Sequence, residues 1–311
     1  MRIAIIDMGT NTFNLLIAET IENNTYNILF RDKAGVKLGK GGINDKVITP
    51  EAFERGVNAI SYHMQSIQNY NVDKVVATAT SGVRSTKNGK EFVEAIEKKF
   101  EIKIQIISGD EEAELIYRGV KQAVKFNNHN ALILDIGGGS NEFIIANSSG
   151  LIWKHSFKLG IARLLDLFKP SNPITKADVL KVEEYIDSEL QLLFDACKKY
   201  QPSDLIGCSG TFDSFRSMII AKNGGIPEEV KKSNAYPIDL NDYAILHKEL
   251  LKSTTEERKN IKGLELIRVE MIVLASIFTN FIIKKLNIKT LTQSAFAIKE
   301  GMADKILNRK N

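Results

Sequence analysis

Cysteine is scarce. Cys197 and Cys208 are the only two in the chain. They make neither a disulfide framework nor a zinc-ligand spacing, and are expected as buried or half-buried thiols of a reducing compartment. Charge of one sign is also lacking. Lys and Arg number 42 against 38 Asp and Glu, a net +4. That balance gives no argument for a nucleic-acid partner, and it does not repel a polyanionic substrate. No secretion signal is expected, because the apolar run from Arg2 to Ile6 is short and Asp7 interrupts it. A membrane-length run is missing too. The richest apolar stretch, Met271 to Ile283, contains Ser276, Thr279 and Asn280 and stops at Lys284-Lys285. It suits a buried helix rather than a membrane span. No low-complexity tract occurs. These absences set the expectation of a cytoplasmic protein with no membrane or nucleic-acid partner. The 43% hydrophobic content suffices for substantial cores, and 311 residues suit two domains.

The chain is organised around Ala131 to Ala146. An apolar run ends in Asp135, Gly137, Gly138, Gly139 and Ser140 follow, and Glu142 opens a second apolar run. Bounded apolar runs broken by glycine read as two strands and a tight turn. Glycines let backbone N–H groups converge on an anion. Asp135 and Glu142 beside such a turn supply the hard oxygen ligands that Mg²⁺ takes. A plain glycine-rich hairpin with two solvated acids is the competing reading. The same grammar occurs earlier. Arg2 to Ile6 is an apolar run, Asp7 ends it, Gly9-Thr10-Asn11-Thr12 turns, and Phe13 to Ala18 follows. Asp135 lies 135 − 7 = 128 residues after Asp7, about one domain's length. The repeat sets the expectation of a duplicated fold in which two phosphate loops face each other across a cleft.

Further along, strands are predicted over 2–7, 12–19 and 25–33, with Asn23-Asn24 as a turn. Gly35 and Gly39-Lys40-Gly41-Gly42 form a basic loop, either a connector or a segment near a polyanion. Thr49 and Pro50 open a helix running to about Tyr70. Arg84 falls in the loop 79–85 after a strand, where ligands of α/β sheets sit; it is either a phosphate ligand or a surface arginine. Ser108 and Glu111 have capping-box spacing, which gives Glu111 a structural role and leaves Glu112 outside the cap. Ser209-Gly210-Thr211 lead into a helix from Phe212, as an anion site or as a simple cap. Helices are predicted over 175–200, 240–251 and 264–285. His155, Lys231 and Lys232 read as solvated. The polar stretch Phe126-Asn127-Asn128-His129-Asn130 places a domain boundary there, giving domains 1–125 and 126–311.

The chain resembles the exopolyphosphatase / guanosine-pentaphosphate phosphatase family of the actin, sugar-kinase and heat-shock ATPase superfamily. The residues that carry this are Asp7-Met8-Gly9-Thr10-Asn11-Thr12-Phe13, Ala79 to Arg84, Ile107 to Ala113, Asp135 to Glu142 and Gly207 to Thr211, in the family's order. The resemblance implies an α/β fold of two duplicated actin-like (ribonuclease H-like) domains with the active site in the cleft between them. The last helix is expected to dock back on the first domain. It implies the short, two-domain form of the family, with homodimerisation left open. It also implies hydrolysis of a terminal phosphoanhydride with Mg²⁺, on polyphosphate or on guanosine pentaphosphate. Glu112 matches the family's general base, with Glu111 as the alternative that the capping argument disfavours. Arg84 would neutralise developing charge. Asp135 and Glu142 would hold the metal, and Asp7 would be a candidate ligand for a second metal or an organiser of its loop. Asn11, Thr12, Gly137, Gly138, Gly139, Ser140, Gly210 and Thr211 would bind phosphate.

Other classes stay open: an ATP-dependent kinase of the superfamily, for which no feature demands an adenosine pocket, or a non-catalytic nucleotide sensor. A chain-like polyanion needs a basic track, for which Lys33, Lys37, Lys40, Arg163 and Arg216 are the candidates.

Overall fold

The computed structural model describes residues 1–21, 25–225 and 233–307. The expected turn at Asn23-Asn24 and the lysines Lys231 and Lys232 lie outside the described residues. The first half runs β1 (Arg2–Met8), β2 (Thr12–Thr20), β3 (Tyr26–Gly35), α1 (Pro50–Gln68), β4 (Lys74–Ala79), α2 (Ser81–Arg84), α3 (Gly89–Phe100), β5 (Ile104–Ile106) and α4 (Gly109–Ala123). The second half repeats the scheme with β6 (Ala131–Ile136), β7 (Asn141–Asn147), β8 (Gly150–Phe157), α5 (Ile161–Phe168), α6 (Lys176–Glu189), α7 (Gln191–Tyr200), β9 (Asp204–Cys208) and α8 (Ser209–Lys222). It continues with β10 (Ala235–Ile238), α9 (Leu240–Lys252), α10 (Thr255–Lys259), α11 (Ile272–Lys285), β11 (Thr290–Ser294) and α12 (Ile298–Leu307).

The strand orders β3-β2-β1-β4-β5 and β10-β11-β9-β6-β7-β8 make the duplication explicit. Read from the other end, the second sheet is the first with β10 added. β1 and β6 are buried on both faces, as central strands with parallel neighbours must be. Each sheet has its own apolar core on one side. A third core joins the two sheets, with Ile3, Ile5 and Leu16 on one side and Ile133, Ile144 and Ile206 on the other. Between them lie α4 and α12, the helices that follow β5 and β11.

Each half lends this helix to the other half's sheet. α4 packs on β7 and β8, α12 packs on β1 and β2, and the two helices pack on each other. They touch where side chains are absent: a Cβ on Gly119 would lie 1.9 Å from the Ala297 carbonyl oxygen, and one on Gly301 would lie 1.8 Å from that of Leu115. No helix among the described residues is long and apolar enough to cross a membrane.

Several predicted elements differ in extent. Thr49 caps α1 as expected, its side chain accepting from Ala52 N. The segment predicted as a loop at 79–85 contains the one-turn helix α2. The predicted helix 175–200 breaks at Leu190 into α6 and α7. The predicted helix 264–285 begins only at Ile272; before it lies a 3₁₀ turn, Leu266–Arg268. That difference moves Arg268 into the cleft.

Candidate active site

The β1–β2 and β6–β7 turns are built alike. Gly9 N donates to Thr12 O at 3.0 Å, and Gly137 N donates to Ser140 O at 3.1 Å. The two turns meet across the cleft. A Cβ on Gly138 would lie 2.5 Å from the Asn11 amide, and one on Gly139 would lie 2.7 Å from both the Ser81 and Thr10 hydroxyls. Glycine at these positions is what allows the loops to close on each other. Beside them is a cavity of about 510 Å³ lined by Asp7, Asn11, Thr12, Glu112, Asp135, Gly137, Gly138, Gly139, Ser140, Glu142 and Gly210. These are eleven of the thirteen residues expected in the site.

Asp7, Glu112, Asp135 and Glu142 are all buried in this wall. Among the described residues, the hydrogen bonds on each carboxylate fall on one oxygen. Asn14 Nδ2 donates to Asp7 Oδ2 at 3.0 Å. Ser209 Oγ donates to Asp135 Oδ2 at 2.6 Å. Ser140 and Ser156 both donate to Glu142 Oε1, each at 2.6 Å. Arg84 Nη1 donates to Glu112 Oε2 at 2.9 Å and to Ile107 O at 2.8 Å. Among the described residues, only Glu112 of the four is ion-paired, with Arg84. The other three are held by neutral amides and hydroxyls, which orient them without offsetting their charge.

Burial pushes all four carboxyls above their ordinary values. For Asp135 the rise is to about 7, from burial and then from the Glu142 charge beside it. Glu142 is raised chiefly by burial, against the pull of the Ser140 and Ser156 hydroxyls and of Arg84. Glu112 is raised by burial and by Glu142, which together outweigh the Arg84 guanidinium. Asp7 is raised by burial, while Lys299 and Asn14 work the other way.

Two expected residues do not line the cavity. Thr211 is buried, its hydroxyl donating to Ile136 O at 3.4 Å, and it lines a small neighbouring pocket with Asn11, Gly137 and Arg268. Arg84 stands behind Glu112, holding that carboxylate instead of facing the cavity. The capping argument at α4 holds in part. Ser108 accepts from Glu111 N, but the Glu111 side chain does not return to the cap; it pairs with Lys305 at 3.3 Å and accepts from Gln105 Nε2 at 3.2 Å. Glu111 is thus directed away from the cavity and Glu112 into it.

The expected basic track is rearranged as well. Lys33 pairs with Glu265, and Lys37 with Glu270 at 2.6 Å, so both tie the first half to the second. Arg163 is committed to Gly139 O at 2.7 Å, Ile43 O at 3.0 Å and Ser85 Oγ at 2.6 Å. The cations that line the cavity are Arg31, Lys33, Arg216, Arg268 and Lys299. Arg268 and Lys299 were not legible: the first sits in a turn that reads as helix in the sequence, and the second precedes Glu300 at the start of α12. Ser156 has a signal in hindsight, because the β7–β8 hairpin places it in register with Glu142.

Residues 16–310 match the Ppx/GppA phosphatase family. An exopolyphosphatase structure from Cytophaga hutchinsonii superposes with a TM-score of 0.96 at 38% identity, covering 100% of this chain and 99% of that one. A putative exopolyphosphatase of Haemophilus influenzae is 28% identical over 96% of this chain and 90% of its own length. The bifunctional 3-dehydroquinate synthase/phosphatase of Fusobacterium nucleatum is 31% identical over 87% of this chain, which spans 41% of the length of that relative. The Aquifex aeolicus Ppx/GppA member, at 21% identity and a TM-score of 0.79, shares the two-domain actin-like fold. The repeated Asp–Gly turns, the buried Glu112 and the similarity across nearly the whole length agree: the chain belongs to the Ppx/GppA phosphatase family.

Proposed function

We propose that the protein is a Mg²⁺-dependent exopolyphosphatase, releasing phosphate from the end of inorganic polyphosphate. The observation that carries this is Glu112, buried, fixed by Arg84 and facing the cavity shared by the two glycine turns. Water attacks the terminal phosphorus and its proton passes to Glu112. The P–O–P bridge breaks, and the bridging oxygen stays with the shortened chain. Such a transfer asks the protein mainly for positioning and charge stabilisation. The N–H groups of Gly137 to Ser140 and the side chains of Asn11 and Thr12 are the donors for the phosphoryl oxygens.

Asp135, Glu142 and Asp7 are the residues that would hold Mg²⁺. Their fit is chemical: buried oxygens, held by neutral donors, that repel one another. Among the described residues no three His, Cys, Asp or Glu side chains converge tightly enough to hold a metal alone. Mg²⁺ commonly keeps several waters and binds through one or two carboxylates plus substrate phosphates, so this arrangement suits it. When bound it offsets phosphoryl charge and polarises the scissile phosphate.

Guanosine pentaphosphate is the second substrate reading. The cavity supports polyphosphate better, because among the described residues its lining has five cations and no aromatic ring for a base to stack on. Phosphate release from polyphosphate, guanosine pentaphosphate and ATP, measured side by side, separates these readings. Turnover of polyphosphate without an acceptor excludes a kinase, and binding without turnover supports a nucleotide sensor. A cytoplasmic setting and self-association as a homodimer belong to the same reading; sedimentation in solution tests the latter.

A further inference from the structure

The turn from β9 into α8 holds a non-glycine residue in the left-handed backbone region. Ser209, its first residue, has φ +63°, in the left-handed region. That region costs an L-residue free energy and is ordinarily left to glycine, asparagine or aspartate. A glycine follows at once, yet the strained position is Ser209 and not Gly210. Gly210 is needed for another reason: a Cβ there would lie 1.5 Å from Arg268 Nη2, so the guanidinium lies against the bare backbone. Strain of this kind persists only where the surroundings hold it, and it concentrates at functional sites.

The Ser209 side chain shows what the strain accomplishes. Its hydroxyl donates to Asp135 Oδ2 at 2.6 Å across the sheet, from a strand whose last residue, Cys208, is in register with Asp135. It is the one hydrogen bond on the Asp135 carboxylate among the described residues. Both Ser209 and Asp135 line the cavity. A glycine at 209 would relax the turn and leave Asp135 free to rotate.

We infer that Ser209 is a positioning residue: its left-handed backbone exists to lay its hydroxyl on Asp135 Oδ2, which fixes the carboxylate plane and presents Oδ1 to the metal. The inference rests on the reading of Asp135 as a Mg²⁺ ligand. Residues that hydrogen-bond a metal ligand typically alter metal affinity by about 10–100-fold when removed.

Three proteins test this: wild type, Ser209→Gly and Ser209→Ala. Each is measured for thermal midpoint in chelator, Mg²⁺ binding by calorimetry without substrate, and kcat and KM on polyphosphate at saturating Mg²⁺. Ser209→Gly removes the strain and the hydroxyl together. It should melt above wild type in chelator, bind Mg²⁺ at least about 10-fold more weakly, and lose kcat while KM holds. Ser209→Ala keeps the strained Cβ and loses the hydroxyl; it should match the glycine variant in Mg²⁺ affinity and melt below it. A glycine variant with wild-type Mg²⁺ affinity and kcat overturns the inference, because the hydroxyl would then orient nothing. A glycine variant that melts below wild type overturns the strain argument. If wild type itself binds no Mg²⁺, the metal reading of the site fails, whatever Ser209 does.

Discussion

Asn14 and Glu142 stand at the same place in two copies of one hairpin. Asn14 is in register with Asp7, and Glu142 is in register with Asp135. Asn14 has an N–H to give and donates it to Asp7. Glu142 has none, so it repels Asp135 instead and helps to raise its pKa. One turn pairs its acid with a donor, whereas the other sets two acids against each other. This single difference makes a duplicated fold asymmetric, and it supports the proposal that Mg²⁺ binds beside the second turn.

Replacing Glu112 with Gln removes the proton acceptor but keeps the size and much of the hydrogen bonding. The expected fall in kcat is roughly 10²–10⁴-fold, with substrate binding largely kept. Glu111→Gln should cost far less, because Glu111 pairs with Lys305 away from the cavity. The base must be ionised and burial raises its pKa. The wild-type rate should therefore climb with pH on its acidic limb, and at saturating Mg²⁺ the Glu112→Gln variant should lose the part of that limb that Glu112 contributes. Steady-state kinetics of both variants across pH decide the assignment; a reversal of the two effects would place the base on Glu111.

Metal-free stability should depend on pH through Asp135. Its carboxyl ionises near 3.8 when unperturbed and at about 7 in the folded protein. Between those values the folded state holds a proton that the unfolded chain releases, so stability falls as pH rises and levels off above about 7. Asp135→Asn should reduce this slope, with the remainder coming from Asp7, Glu112 and Glu142, whose carboxyls are also raised. Mg²⁺ binds the ionised form and should raise the melting temperature of wild type more at about pH 8 than at about pH 5. Thermal melts in chelator and in Mg²⁺ provide the readout, and equal Mg²⁺ shifts at both pH values would count against the site.

Asn14→Asp would give the first turn the acid that the second has. The variant loses the donor to Asp7 and places a like charge beside it. Leaving a buried polar group unpaired costs about 1–3 kcal/mol, so the variant should melt lower in chelator at neutral pH. Part of that loss should return on acidification, as the new carboxyl is protonated. Melting behaviour that does not respond to pH would show that the turn tolerates the acid by moving.

Lys37 and Arg216 should differ in their effect on chain-length preference. Lys37 is paired with Glu270 across the cleft, whereas Arg216 lines the cavity. Lys37→Ala should change KM by a similar factor for short and long polyphosphate. Arg216→Ala should raise KM more for long chains, and more steeply at low ionic strength, since salt screens such contacts. KM measured over a series of chain lengths and salt concentrations distinguishes the two roles.

What the amino-acid sequence determined was local and repetitive. The runs ending in Asp7 and Asp135, the turns at Gly9 and Gly137, and the Thr49-Pro50 helix start are set by short-range sterics and hydrogen bonding, so neighbouring residues reveal them. The motifs likewise brought Glu112, Asp135 and Glu142 into one site. The tertiary structure decided what depends on partners distant in the chain. Lys33 and Lys37 read as free cations until Glu265 and Glu270 arrive from the other half. Arg268 enters the cleft because the chain makes a 3₁₀ turn before α11, in a stretch whose apolar spacing reads as helix. Arg84 faces Glu112 because β4 and β5 are parallel neighbours, which sets the turn after β4 beside the start of α4. Ser209 looks like an ordinary helix cap, and only its left-handed backbone and its contact with Asp135, 209 − 135 = 74 residues away in sequence, show what it holds. Local rules fix which residues turn and which extend; which oxygen each carboxylate keeps free is fixed by donors that only the assembled fold supplies.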